Sequence, residues 1–146
     1  MERLERKIKD QSLALELEKI ASKQYILEEY LNAINLGEGT LGVQTASQKY
    51  FNKDVSELTL SECAVLASIT KNPTRLNPVT HPENNASRRS LVLQNMLEQH
   101  YITKKEYREA LSDDVYRRIQ KNAAATPAKK TTNSYFEDAL ILQVVK

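Results

Sequence analysis

At 146 residues the chain is about one domain long, with room for one core and not two. Apolar residues make up 40% of it, charged residues 27%, and the net charge is +2. That balance fits a globular fold and lacks the strongly basic face that nucleic-acid binding calls for.

Glu2 to Ile20 holds no Gly or Pro and is rich in Leu, Glu, Lys and Arg, so it reads as helix. Ser22 suits the N-cap of a second helix, from about Lys23 to Ile34, whose apolar stripe is Ile26, Leu27, Tyr30, Leu31 and Ile34. Gly37, Gly39 and Gly42 are all the glycines of the chain, and they mark a loop with unusual dihedrals or close backbone approach. Val43, Ala46, Tyr50 and Phe51 follow at helical spacing. Thr59 and Glu62 form a capping box for a helix from Leu60 to Ile69, apolar almost all round and therefore central.

Cys63 lies in that run, which predicts a small buried hydrophobe; as the single cysteine it excludes a disulfide framework and a thiolate metal site. A loop with three prolines runs from Asn72-Pro73 to His81-Pro82, and Pro82 opens the next helix, with Ala86, Leu93, Met96 and Leu97 facing inward. Thr103 and Glu106 make a second capping box for a short helix to Leu111. Residues 113–133 read as a linker, most clearly the Ala, Thr and Lys of Lys121 to Asn133. Ser134 to Lys146 is amphipathic again, with Tyr135, Phe136, Leu140 and Val144, and reads as a C-terminal helix leading toward a further domain. The expectation is an all-α fold. No run approaches the ~20 apolar residues that cross a bilayer, and no signal peptide is visible at Met1, so the chain reads as soluble.

Chemistry has few places to sit. Arg3, Lys7 and Asp10 share one stripe of the first helix, which continues through Ala14, Leu17 and Ala21. That stripe is either a solvated helix end with ordinary ion pairs or a polar cleft bordering the core, suited to an anionic ligand. Glu28, Glu29 and Asn32 line the polar side of the second helix, but adjacent carboxylates point about 100° apart and make no ready dyad. His81 and His100 lack partners at metal-ligand spacing. Arg88 and Arg89 could bind phosphate, although Arg89 is in register with Ala86 and Leu93, as a structural ion pair would be.

Three segments together resemble the family 51 glycosyltransferase domain of class A penicillin-binding proteins. Arg6-Lys7-Ile8-Lys9-Asp10, followed by Leu13-Ala14-Leu15-Glu16, resembles that family's third motif, with Asp10 where the family has a glutamate. Ile26-Leu27-Glu28-Glu29-Tyr30-Leu31-Asn32, Gly37, Gly42-Val43 and Tyr50-Phe51 are similar to the fourth. Leu58-Thr59-Leu60-Ser61-Glu62, Lys71-Asn72-Pro73-Thr74-Arg75-Leu76-Asn77-Pro78 and Arg88-Arg89 match the fifth and the helix behind it. The resemblance covers Arg6 to Leu111 and makes residues 1–112 the C-terminal part of that domain. Ser134-Tyr135-Phe136 resembles the passage toward a transpeptidase domain.

The resemblance implies a lysozyme-like helical fold and the polymerisation of lipid II into glycan strands at the outer face of the bacterial cytoplasmic membrane. A sugar hydroxyl attacks the anomeric carbon of the donor, and undecaprenyl pyrophosphate leaves. It assigns donor contacts to Arg6 and Lys7, a second, catalytic carboxylate to Asp10, and cleft-shaping roles to Glu28, Asn32, Asn72, Arg75 and Asn77. The general base would be a glutamate of the family's first motif. That motif and a phosphate-binding second motif belong upstream of Met1 and are absent, so the chain is expected to be inactive alone, to need the front half of the domain as its partner, and to self-associate. No cofactor is evident, although the resemblance leaves room for a divalent cation. A non-catalytic helical module that binds a partner or lipid is the other reading.

Overall fold

Side-chain caps mark the starts of three of the described α-helices. In the computed structural model of the chain, which describes residues 2–125, α1 spans Glu2–Ile20 and α2 spans Lys23–Ala33. Ser22 accepts from the Tyr25 amide at 3.2 Å and starts α2, as its position predicts. α3 (Val43–Phe51) and a 3₁₀ turn (Val55–Glu57) lead to α4 (Leu60–Ile69), which opens on the Thr59/Glu62 capping box. α5 (Pro82–Glu98) carries Pro82 in its first turn, and α6 (Lys104–Ser112) opens on the Thr103/Glu106 box. α7 (Val115–Ala125) closes the described chain. Among the described residues the β structure is one isolated bridge, Asn35 to Leu41.

α4 is central because its apolar residues face two ways. Val65, Leu66 and Ile69 pack with Leu36, Tyr50, Phe51, Val115 and Ile119, while Ala64 packs with Leu93, Ile102 and Ala110. The first group joins α3 and α7 to α4, and the second joins α5 and α6. Each fully buried Ile, Leu or Val contributes about 1.5–3 kcal/mol relative to exposure, so these side chains carry most of the fold.

Two sequence expectations need correction. Cys63 is exposed; with Ala67, four residues on, it occupies the outward stripe of α4 and borders an apolar groove instead of the core. The linker expected from residue 113 is helical from Val115 to Ala125. Val115 and Ile119, both buried, sit one turn apart, and that i, i+4 pair supplies the apolar face that docks α7. Residues 126–133 and the amphipathic 134–146 lie outside the described residues.

α1 and α2 behave differently. Every residue from Leu4 to Ile20 is exposed, including Leu13 at 62% and Ile20 at 85%. α2 buries no residue, and Leu27, Tyr30 and Leu31 of its stripe are exposed.

The start of α4 is also an electrostatic junction. Glu62 is buried, and Lys53 Nζ donates to both of its oxygens at 3.1 Å. The Thr59 amide donates to Glu62 Oε2 at 3.0 Å, and Arg118 of α7 reaches Oε1 at 3.3 Å. The Arg118 guanidinium forks onto Asp113 at 2.6 and 2.7 Å, which holds the Asp113 carboxyl below its usual value. Burial pushes the Glu62 carboxyl up, but the Thr59 amide, the hydrogen bond and charge of Lys53 and the charge of Arg118 together hold it below 4.5.

Because the folded value is depressed, this stabilisation is complete above the unfolded value and is lost as pH falls through the folded one. Glu62→Gln should therefore cost about 1–2 kcal/mol near neutral pH, since the cations it leaves are partly exposed, and its melting temperature should fall less than wild type between about pH 6 and pH 3. Thermal denaturation followed by circular dichroism across that range checks both; parallel pH curves would contradict the account.

Candidate functional site

Close approach explains the glycines. Gly37, Glu38, Gly39 and Gly42 all have positive φ, at 82°, 52°, 72° and 79°. A Cβ on Gly42 would lie 2.4 Å from the Asn32 carbonyl oxygen, and one on Gly37 would lie 3.2 Å from the Pro73 carbonyl oxygen and 3.3 Å from Tyr50 Oη. Gly42 thus lets the end of α2 pass against the start of α3, and Gly37 lets the glycine loop meet the proline loop. Glu38, the one non-glycine in the turn, is held by Asn77, whose Nδ2 donates to Glu38 Oε1 at 2.9 Å. Tyr50 donates to the Leu36 carbonyl at 2.8 Å beneath the loop. Burial first, and the nearby Glu38 charge second, push the Tyr50 hydroxyl up to about 12.

The proline loop is fixed as firmly. Asn72 Oδ1 accepts from the Arg75 amide at 3.0 Å, and Asn77 Oδ1 accepts from the Val79 and Thr80 amides at 2.8 and 3.1 Å. From α5, Asn84 Nδ2 donates to the Arg75 carbonyl at 3.2 Å, and Asn85 Nδ2 donates to the Leu76 carbonyl at 2.7 Å.

This loop separates two pockets. On one side a pocket of about 430 Å³ is bordered by Asn35, Glu38, Thr74, Asn77 and His81. On the other, a pocket of about 370 Å³ is bordered by Lys71, Asn72, Arg75, Asn84 and Arg88. A third cleft, about 640 Å³ beside Lys53, Ser61, Asp113 and Arg118, is a poorer candidate. Its cations are already engaged by Glu62 and Asp113.

The sequence candidates therefore fall into separate groups. Arg6, Lys7 and Asp10 are exposed on α1, and no ion pair joins Arg6 to Asp10 in the described structure. The stripe that continues through Ala14 and Leu17 stays in solvent, so the polar cleft bordering the core is not formed by the described residues. Glu28 and Asn32 are exposed on α2. Asn72, Arg75 and Asn77 do come together, at the proline loop, but Asn77 is buried and its amide is spent on holding the two loops. Among the described residues no group of three or more His, Cys, Asp or Glu could hold a metal ion.

Sequence reasoning missed Glu38, whose place between two glycines was its only signal. For Arg88 and Arg89 it offered phosphate binding, with a structural ion pair as the alternative for Arg89. Arg89 is buried; its Nη1 donates to Ser61 Oγ at 2.8 Å, its Nη2 donates to the Leu111 carbonyl at 3.2 Å, and its guanidinium stacks 5.2 Å from the centre of the Tyr116 ring. The partners are a hydroxyl, carbonyls and a ring, not the direct carboxylate contact its register suggested. Tyr116 in turn donates to Asn85 Oδ1 at 2.6 Å, and burial, opposed by the Arg89 charge, pushes its hydroxyl up to about 12.

Comparison with known proteins places this arrangement. The transglycosylase family model matches residues 1–97, from α1 through nearly all of α5. The chain belongs to the transglycosylase family. It is 50% identical over 109 residues to penicillin-binding protein 1A of Aquifex aeolicus (strain VF5), covering 75% of this chain and 15% of that protein. It is 48% identical over 101 residues to penicillin-binding protein 1F of Bacillus subtilis (strain 168), covering 69% and 14%.

The crystal structure of penicillin-binding protein 1A from Haemophilus influenzae superposes with a TM-score of 0.63 at 36% identity, over 84% of this chain and 17% of that one. This transglycosylase-family chain thus spans less than a fifth of the length of each of these relatives. The all-α, lysozyme-like fold expected from the sequence agrees with that neighbour. The family model is that of a transglycosylase, and these relatives are penicillin-binding proteins.

Arg89 and Lys7 make the contrast between structural and solvent-facing cations measurable. Arg89→Ala should destabilise the chain by about 3 kcal/mol, since it removes buried charge-assisted hydrogen bonds. Lys7→Ala, on the exposed face of α1, should stay within about 0.5 kcal/mol of wild type. Urea denaturation of the two variants distinguishes them; equal midpoints would contradict the assignment.

Proposed function

We propose that this chain contributes the donor-side helices of a glycosyltransferase that polymerises lipid II into glycan strands. The observation that carries the proposal is the family match over residues 1–97, which contains both the Arg6–Lys7–Asp10 segment and the two joined loops. In this reading the leaving pyrophosphate needs cations, and Arg6 and Lys7 stand in solvent with no carboxylate claiming them among the described residues. Asp10 is the second carboxylate, four residues after Arg6, where it can orient that guanidinium once a ligand or neighbouring segment closes over α1. Glu28, Asn32, Asn72, Arg75 and Asn77 shape the wall that the sugar meets. The general base is the family's glutamate, which these residues do not include, so the chain alone does not turn over substrate.

The purified chain mixed with lipid II should form no glycan strands, since the loss of a general base typically costs ~10²–10⁴-fold. Fusing the preceding family segment of the Aquifex aeolicus relative to it should restore strand formation, and Lys7→Ala in the fusion should abolish it. Strands made by the chain alone would overturn the inactivity, and an active Lys7→Ala fusion would overturn the role of Lys7.

A second reading, a helical module that binds a partner or lipid without catalysis, is favoured by one observation. α1 and α2 expose Leu4, Ile8, Leu13, Leu15, Ile20 and Leu27, and an apolar groove of about 270 Å³ opens beside Leu31, Val55 and Cys63. Patches of this kind mark association surfaces. Sedimentation velocity should show concentration-dependent self-association, weakened by Leu13→Glu; a monomer at all concentrations would count against this reading.

A further inference from the structure

Arg88 and Arg89 are neighbours in sequence that part company in the fold. One step of about 100° round α5 turns Arg89 into the core and leaves Arg88 half-buried beside the 71–76 loop. There it lines the 370 Å³ pocket together with Lys71 and Arg75. No Asp or Glu lines this pocket, and among the described residues none of these three cations is ion-paired. In the 640 Å³ cleft, by contrast, Lys53 and Arg118 are balanced by Glu62 and Asp113.

The floor of the pocket is built rather than loose. Asn72 fixes the Arg75 amide, the Leu76 amide donates to the Asn72 carbonyl at 2.9 Å, and Asn84 and Asn85 clamp the Arg75 and Leu76 carbonyls from α5. The bases of Arg75 and Arg88 are therefore set relative to each other before any ligand arrives, which lowers the ordering cost of binding. The concave cluster of like charge, with no carboxylate to quench it, concentrates anions. Two guanidinium groups offer planar donor forks that match phosphate oxygens, with Lys71 as a point charge beside them. Asn84 Oδ1 and Ser87 add polar surface at the rim, Ser87 Oγ already donating to the Glu83 carbonyl at 3.1 Å.

We infer that this pocket binds a phosphate group, with Arg88 and Arg75 as its principal donors. The inference stands on the pocket itself and holds whether or not the chain takes part in glycan synthesis. The phosphate can belong to a lipid head group or to a free pyrophosphate; the recognising chemistry is the same, and the experiment separates the sources.

In one arm the full chain is titrated calorimetrically with inorganic pyrophosphate at low salt. In the other it is co-sedimented with phosphatidylcholine vesicles, with and without phosphatidylglycerol. Saturable binding is expected in at least one arm, the vesicle arm being read as the gain that phosphatidylglycerol gives. Arg88→Ala should weaken it about tenfold or more, the loss of one charge-assisted contact. Arg88→Lys should restore part of it, and Arg117→Ala, an exposed cation of α7, should leave it unchanged. Should Arg88→Ala fail to fold, Arg75→Ala, at an exposed position, carries the same expectation. Absence of binding in both arms, or binding that neither substitution weakens, overturns the inference.

Discussion

A buried carboxylate at the start of α4 organises the described chain. Glu62 caps its own helix through the Thr59 amide and draws Lys53 and Arg118 to one point from sequence positions nine before and fifty-six after it. Ionised and buried, it would be costly without such partners. The neighbouring Ser61 receives Arg89 from α5. The first turn of α4 is thus the place where the α3 end, α5 and α7 are brought into register, and the apolar faces of α4 then close on both sides of it.

That framework delivers the loops. With α4 and α5 fixed, Asn85 can hold the Leu76 carbonyl and receive Tyr116, and Asn84 can hold the Arg75 carbonyl. The proline loop then becomes a wall with a different chemistry on each side: neutral and acidic toward Glu38, basic toward Arg88. α1 stands apart from this framework, and α2 meets it at its C-terminal end, where Ile34 packs against the core. Most of the other apolar residues of both helices face solvent.

The helices were legible in the sequence because their signals are local. Ser22, Thr59 and Thr103 satisfy amides three residues away, and Pro82 opens α5, so nearby residues suffice to read them. The glycine loop was legible for the same reason, since a positive φ is a property of one residue. The family resemblance too rested on local motifs, and the match over residues 1–97 agrees with it. α7 escaped because its apolar face is only Val115 and Ile119 with Tyr116 beside them, too short a period to stand out from polar neighbours.

What the sequence by itself determined, then, was the course of α1 to α6 and the two loops, because each follows from contacts within one turn of the chain. Which face of a helix is inside was decided only by tertiary structure. Cys63 sits in an apolar run yet faces out, because α4 spends its other faces on α3 and α5. Arg88 and Arg89 are the same residue type at successive positions, and no local rule says which will be buried. Ser61, the 111–113 carbonyls and the Tyr116 ring make that choice, and they lie more than twenty residues away along the chain.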